Sequence, residues 1–526
     1  MQSAPSCSNS SSSDAELRKK ISTLCCPTYT PDAENDFFDT GSFFVFAGES
    51  SSQRKLISQV KSHCSDEPLV ATDLEYGAGR MIHDATKFAS LFAAARSGPQ
   101  LVEEMGRVAA EEGRSVGFNW TFGPCVDPLF DIDCPTLSVR SPGRSAEEAI
   151  ATGLAYMRGL QTHGMLATAK HFPGDGYCRY DQHLTTAENP LEMDKWWATY
   201  GKIYTALIEA DVAAIMPGHI SLPAWDTPHP SNGVCPPATL SARLMKDLLR
   251  KKLGFQGLIV SDAVNMGGFS GFMNYHDACA TFLESGGNVL LFAHPTEEFL
   301  DEMLQRIHSG MLSETAIDDS LARFKKFKER GFASQRVSSE ASELNSAKAI
   351  ATARQIAKSG LQLLRDRKHY LPVQEPETKR LLHVRLAFSH STMLPIIDQF
   401  NEALSKTFAQ VEYLNDPGPD AMRKRVTRDD CDLIIVSILN EYGYGTNHIH
   451  LAGVVARNMM GGWMHRGKPV IFISHAHPYL HWEYKAPMDC VIRTCGTTPE
   501  TIPELIDLIA GKGAAIVPDE PEIHWH

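Results

Sequence analysis

The sequence predicts an α/β protein, a TIM-type (β/α) barrel followed by a smaller α/β sandwich-like domain with a mostly parallel sheet. Three observations carry this. The chain has 526 residues, more than one hydrophobic core usually holds. Up to about residue 330, short runs that are apolar on both faces alternate with amphipathic stretches, as parallel strands covered by helices do. A polar, small-residue stretch, SSEASELNSAK (338–348), then precedes a second alternating set. The expected division is a disordered N-terminus over 1–14, the barrel over 15–335, a linker and helix over 336–380, and the second domain over 381–526.

The elements follow in order. In the N-terminal Ser-rich stretch, Ser13 and Glu16 have the spacing of a capping box that starts a helix. Strand candidates are FFVFAGE (43–49), PLVATDLEYG (68–77), GFNWTFGPCVDP (117–128), LATAKHFPG (166–174), VAAIMPGHI (212–220), GLIVSDAVNM (257–266) and NVLLFAHP (288–295). That is seven, one short of a closed barrel. Helices are expected over 85–112, 145–163, 192–210, 241–252 and 297–309, with Ser241 as an N-cap and Gly254 as a terminator. Beyond the linker, AKAIATARQIAKSGLQLL (347–364) reads as one helix. Five strand candidates come after it: RLLHVRLA (380–387), QVEYL (410–414), DLIIVSIL (432–439), PVIFIS (469–474) and DCVIRTC (489–495). They suggest a small open sheet.

Composition excludes several classes of function. A net charge of −13 does not suit a nucleic-acid surface, which needs concentrated Lys and Arg. The basic run RFKKFKER (323–330) has the spacing of a helix end and reads as a solvated face. No apolar run reaches the roughly 20 residues of a membrane span, and the N-terminus lacks the apolar core of a secretory signal. The twelve cysteines lack CxxC or Cys/His ligand spacing, and the adjacent Cys25 and Cys26 do not suit a mutual disulfide. Reduced thiols in a cytoplasmic protein, with no metal site, are therefore expected. The second set has neither GxGxxG after its first strand nor a Walker A sequence, so no nucleotide cofactor is expected.

Chemistry concentrates where strands stop. The barrel strands end on Asp73 and Glu75, then Asp127, then Lys170 and His171, then His219, then Asp262, at the end of a barrel where active sites form. The densest stretch is LATAKHFPGDGYCRYDQH (166–183), where a strand breaks into a loop at Pro173-Gly174 and Asp175-Gly176. Asp181 and His183 lie two residues apart there, a spacing at which a carboxylate can orient an imidazole for proton transfer.

These residues carry a resemblance. KHFPGDG and DQH (170–183) followed by GLIVSDAVNM (257–266) resemble glycoside hydrolase family 3, and within it the β-N-acetylglucosaminidase (β-N-acetylhexosaminidase) branch, whose usual pattern is KHFPGHG followed by DSH. The likeness extends to TDLEYGAGRM (72–81), FNWTFGPCVDP (118–128), LSVRSPGR around Arg140, and MPGHISLP (216–223). It implies a retaining hydrolase that removes terminal non-reducing β-linked N-acetylhexosamine, most often N-acetylglucosamine, from a small amino-sugar glycoside. Asp262 matches the nucleophile that forms the covalent glycosyl-enzyme. His183 matches the acid/base, with Asp181 as its dyad partner. Asp73, Arg80, Arg140, Lys170 and His171 match sugar-binding positions, and His219 and Met266 match the pocket wall.

The chain departs from the pattern at two positions. Asp175 stands where the branch has His, adding a carboxylate near the dyad, and Gln182 stands where it has Ser. Three alternatives stay open at this point. One is a β-glucosidase-like member using a second-domain glutamate such as Glu441 as acid/base. Another is a catalytically silent carbohydrate-binding protein. The third is phosphate in place of water as the acceptor.

Overall fold

A computed structural model describes residues 12–335, 343–387, 393–441, 450–451, 453–484 and 486–513. A chain of parallel pairings runs through the strands Thr28–Tyr29, Ser42–Val45, Leu69–Thr72, Trp120–Thr121, Leu166–Phe172, Ala214–Pro217 and Leu258–Ile259. A parallel bridge joins Val260 to Val289, and Leu290–Leu291 pairs in parallel with Cys25–Cys26. Those two cysteines sit one proline ahead of Thr28, so the ring closes. The strand that sequence reading lacked is the first, broken at Pro27 into Cys25–Cys26 and Thr28–Tyr29. Proline has no N–H for a ladder, and it divides this strand into two pieces of two residues that pair with different neighbours.

The helices fall close to expectation, with local corrections. The first starts at Ser12, so residues 12–14 are helical and Ser13 lies in the first turn rather than capping it. Residues 1–11 lie outside the described residues. The 85–112 stretch is two helices, Leu91–Ala95 and Pro99–Val116, separated at Gly98, whose φ of 87° suits glycine. Ser241 accepts the Leu244 N–H at 3.0 Å, and Gly254 takes φ 76° just past the helix that ends at Lys252. The basic run 323–330 lies inside Glu314–Gln335 rather than at its end. Phe324 and Phe327 turn into the barrel core while Lys325, Lys326 and Glu329 face solvent. No helix among the described residues is long and apolar enough to cross a membrane.

In the second unit the helix stops at Gly360, and Gln362–Asp366 is a strand. It joins the antiparallel edge of a six-stranded sheet, in the order 362–366, 490–493, 470–474, 433–439, 380–387, 410–415, whose other pairs are parallel. The sheet thus has the five expected strands plus one that apolar residues in helical phase had disguised. Apolar clusters cover both its faces. The chain just beyond the strands at 470–474 and 490–493 meets the barrel. Ser90 donates to the Cys495 carbonyl, Phe92 meets the Tyr479 ring edge-on at 5.8 Å, and the Arg144 guanidinium lies 5.3 Å from that ring. Ser90, Phe92 and Arg144 all follow C-terminal ends of barrel strands, so the second unit abuts the end of the barrel where the polar residues collect.

Candidate active site

Four charged side chains form one wall. Lys170, near the end of the 166–172 strand, lies 2.7 Å from Glu75 and 3.2 Å from Asp73. Arg140 clasps the Glu75 carboxylate with two bonds of 2.9 and 2.7 Å and gives a third to the Thr136 carbonyl. Lys170, Arg140 and Glu75 are buried, whereas a third of the Asp73 side chain reaches the open space. Burial alone would push the Glu75 carboxyl up, but the charges of Arg140 and Lys170 outweigh it and hold the group well below the usual carboxylate range. Burial would likewise lower Lys170, and Asp73 and Glu75 raise it instead. A strand-end carboxylate noted but given no role, Glu75, is therefore the centre of this wall. Its pair of hydrogen bonds from Arg140 is what the sequence did not show.

Next along the ring, His171 is held by Asp127. One Asp127 oxygen accepts the His171 backbone N–H at 2.9 Å and its ring Nδ1–H at 2.8 Å. The other accepts the Asp175 N–H at 3.0 Å. Cys125 Sγ lies within 4.8 Å of these donors, a spacing that would admit a metal ion. Burial pushes the Cys125 thiol well up, away from the thiolate a metal requires, and the ring nitrogen is committed to the carboxylate. Asp175 is also fully buried here, taking a 2.6 Å bond from Thr136. Asp127 and His171 are the charged groups that act on it most.

The dyad loop is docked. Asp181 Oδ1 accepts the His183 backbone N–H at 2.8 Å and ring Nδ1–H at 2.5 Å. Asp181 is buried and about a quarter of the His183 side chain is open. The loop backbone lies on the turn after Asp262, with Gly267 donating to the His183 carbonyl at 2.8 Å and Gly268 to that of Gln182 at 3.1 Å. This approach requires glycine, since a Cβ at 267 would stand 2.3 Å from the Leu184 carbonyl oxygen and one at 268 would stand 2.6 Å from that of Gln182. Gln182 spans from the loop to the next strand end, its amide oxygen accepting the His219 N–H at 2.7 Å. That use of a long side chain accounts for glutamine where the family pattern has serine.

Asp262 accepts the N–H of Ala263 at 2.8 Å. Burial opposes its ionisation, but the charges of His171, His219, His183 and Lys170 prevail and hold it below the usual value. These groups thus share one electrostatic neighbourhood. His219 is corrected from a pocket wall to a brace. Its two ring nitrogens are taken by Thr239 at 2.9 Å and the Ala263 carbonyl at 3.0 Å, and burial lowers its pKa. Met266 is nearly buried in the same turn. Arg80 is exposed and hydrogen-bonded to the Tyr76 hydroxyl at 2.5 Å, and its charge acts on Glu75. Glu441 follows the 433–439 strand, and residues 442–449 beyond it lie outside the described residues.

The family profile described as the glycosyl hydrolase family 3 N terminal domain matches residues 40–327. A protein of Cellulomonas fimi named β-N-acetylglucosaminidase/β-glucosidase is 28% identical over 513 residues, covering 93% of this chain and 90% of its own. Among solved structures, a β-glucoside phosphorylase with 2FGlc bound is 26% identical, with a TM-score of 0.85 and 96% of each chain covered. A glycoside hydrolase family 3 β-N-acetylglucosaminidase from Paenibacillus sp. str. FPU-7 shares the fold at 22% identity, with a TM-score of 0.83 over 95% of this chain and 97% of that one. The profile match takes in more than half of the chain and every residue of the charged pocket, from Asp73 to Met266, and on that ground the protein belongs to glycosyl hydrolase family 3.

Proposed function

We propose that the protein is a retaining glycosidase that removes terminal non-reducing β-linked N-acetylhexosamine, most often N-acetylglucosamine. The observation that supports this reading is the docking of the Asp181–His183 pair against the turn that follows the half-buried Asp262. In the first step Asp262 attacks the anomeric carbon while His183 Nε2–H gives its proton to the departing glycosidic oxygen. The bond to the aglycone breaks and a covalent glycosyl–Asp262 ester forms. In the second step neutral His183 takes a proton from the acceptor as it displaces Asp262. Asp181 holds the ring in one orientation and stabilises the imidazolium. Asp73, Lys170 and His171 would bind the sugar hydroxyls, with Glu75 and Arg140 keeping them in place. The catalytic unit would be the barrel over 15–335. Eleven free thiols among the described residues fit a reducing, cytoplasmic setting.

The likeness to a β-glucoside phosphorylase supports a second reading, in which phosphate takes the place of water and glucose that of the amino sugar. Aryl β-glycosides differing at C2 and C4, assayed with and without phosphate and with product analysis, separate the two. Asp262→Ala should abolish turnover on every substrate. His183→Ala should lose roughly 10²–10⁴-fold on poor leaving groups and much less with an activated phenol. Equal losses on both leaving groups in the glycosylation step would remove His183 from the acid role.

A further inference from the structure

Asp175 takes no part in the chemistry above, yet its surroundings are unusual for a carboxylate. The side chain is fully buried. Oδ2 accepts one hydrogen bond, from Thr136, and Oδ1 has no N–H or O–H donor among the described residues, the weak S–H of Cys178 being the other group that bonds to this carboxyl. Its neighbour Asp127 is the opposite case, with three N–H donors on its two oxygens. The other titratable groups that face Asp175 are His171 on the 166–172 strand, Cys134 from the 131–136 loop, Cys178 on its own loop, and Tyr200 and Tyr204 from the helix behind. Burial raises the two thiols and the two phenols well above their ordinary values, so they are neutral. Two carboxyls therefore share one nearby basic group, the His171 ring.

We propose that Asp175 is a positioning residue that works as the neutral acid, carrying the proton of an Asp127–Asp175 pair so that Asp127 alone balances His171 behind the sugar site. The inference rests on reading the pocket as a glycosidase site. The donor count assigns the proton: a buried carboxylate with three N–H donors keeps its charge at little cost, and one with a single hydroxyl and a weak thiol donor does not. Burial first, and the Asp127 charge second, push Asp175 up to about 6. As pH rises through that value, two buried anions come to lie side by side at the base of the loop that carries Asp181 and His183. The hold on that loop and on His171 weakens, and catalysis falls.

The test is the pH dependence of kcat/KM between pH 4.5 and 8.5 on whichever dinitrophenyl β-glycoside the enzyme turns over fastest. Such a leaving group needs no proton, so His183 does not shape the profile. The wild type should decline above about pH 6 with a one-proton slope, about tenfold per pH unit. Asp175→Asn keeps the acceptor for Thr136 without the charge, and should match the wild type at pH 5 and stay level to pH 8. It should also unfold at a higher temperature than the wild type at pH 8, with the gap closing only as pH falls to the ordinary aspartate value near 3.8. Thr136→Val removes the donor on Oδ2, which favours the neutral acid further and should move the wild-type decline to higher pH. A merely structural role would lower activity equally at every pH. That result, or variant profiles that coincide with the wild type, would overturn the proposal. If Asp175→Asn does not fold, an unmoved Thr136→Val profile overturns it alone. Turnover by Asp262→Ala would instead sink the glycosidase reading, and an inactive Asp262→Ala beside unmoved profiles would sink this inference only.

Discussion

The wall of the barrel pocket and the centre of the second sheet both bury ionisable side chains, and they do so in opposite ways. In the barrel, Glu75, Arg140 and Lys170 stay charged because each lies within 3 Å of an opposite charge. In the second sheet, His383 and His475 flank the Ser437 hydroxyl at 2.9 and 3.0 Å, with no carboxylate hydrogen-bonded to either ring among the described residues. Burial drives them down to about 4 and about 3, and they remain neutral. Charge is retained in the wall that, on the proposed reading, would grip a sugar, and discarded where the sheet only has to cohere. A site that must discriminate hydroxyl groups needs fixed polar partners, and keeping them ionised inside a protein requires this pairing.

The largest expected effect comes from unpairing the barrel wall. Glu75→Gln leaves Arg140 and Lys170 buried with Asp73 as the remaining carboxylate, and should cost roughly 3–5 kcal/mol in denaturant unfolding, with loss of sugar binding. If the loss stays under about 1 kcal/mol, the wall is not held by charge. Next comes acid. The two sheet histidines are depressed bases, so their contribution is complete above the unfolded value near 6.5 and is lost as pH falls toward the folded values of about 4 and 3. Each should remove up to about 1.4 kcal/mol per pH unit across that window. Glu75, a depressed acid, loses its contribution only as pH falls below the ordinary glutamate value near 4.5. Between pH 6 and 4.5 the second sheet should therefore lose hydrogen-exchange protection before the barrel does. Simultaneous loss would contradict the contrast. The smallest effect should follow Gly267→Ala, which pushes the dyad loop off the Asp262 turn without touching a charge. A displacement on the order of 1 Å should cost up to ~10²-fold on poor leaving groups and little on activated ones, with stability nearly unchanged.

How legible each part was depends on what carries its signal. Parallel strands read well because burial on both faces makes them continuous apolar runs, and all seven barrel runs and all five second-domain runs contain a strand. The first barrel strand did not, since Cys25-Cys26-Pro27-Thr28-Tyr29 has a proline at its middle and too few residues for a period. The 362–366 strand failed differently: its leucines continue the phase of the helix before it, and only the sheet edge it joins makes it extended. At the site, Asp181, His183 and Asp262 were legible from motif and spacing. Glu75, the brace formed by His219, and the burial of Asp175 were not, because each depends on partners 65, 44 and 39 residues away in sequence.

The broken first strand has a bearing on how the molecule is made. Cys25 pairs with Leu290, so the last seam of the barrel joins residues 265 positions apart (290 − 25). During synthesis the ring cannot close until that far strand has left the ribosome, after both the Asp181–His183 loop and the turn that receives it have been made. The nascent barrel is an open sheet with an unpaired edge at Cys25–Cys26, the kind of edge that invites other chains. A slow, chaperone-sensitive appearance of activity, late relative to helix content, is what such a long-range closure should produce in refolding.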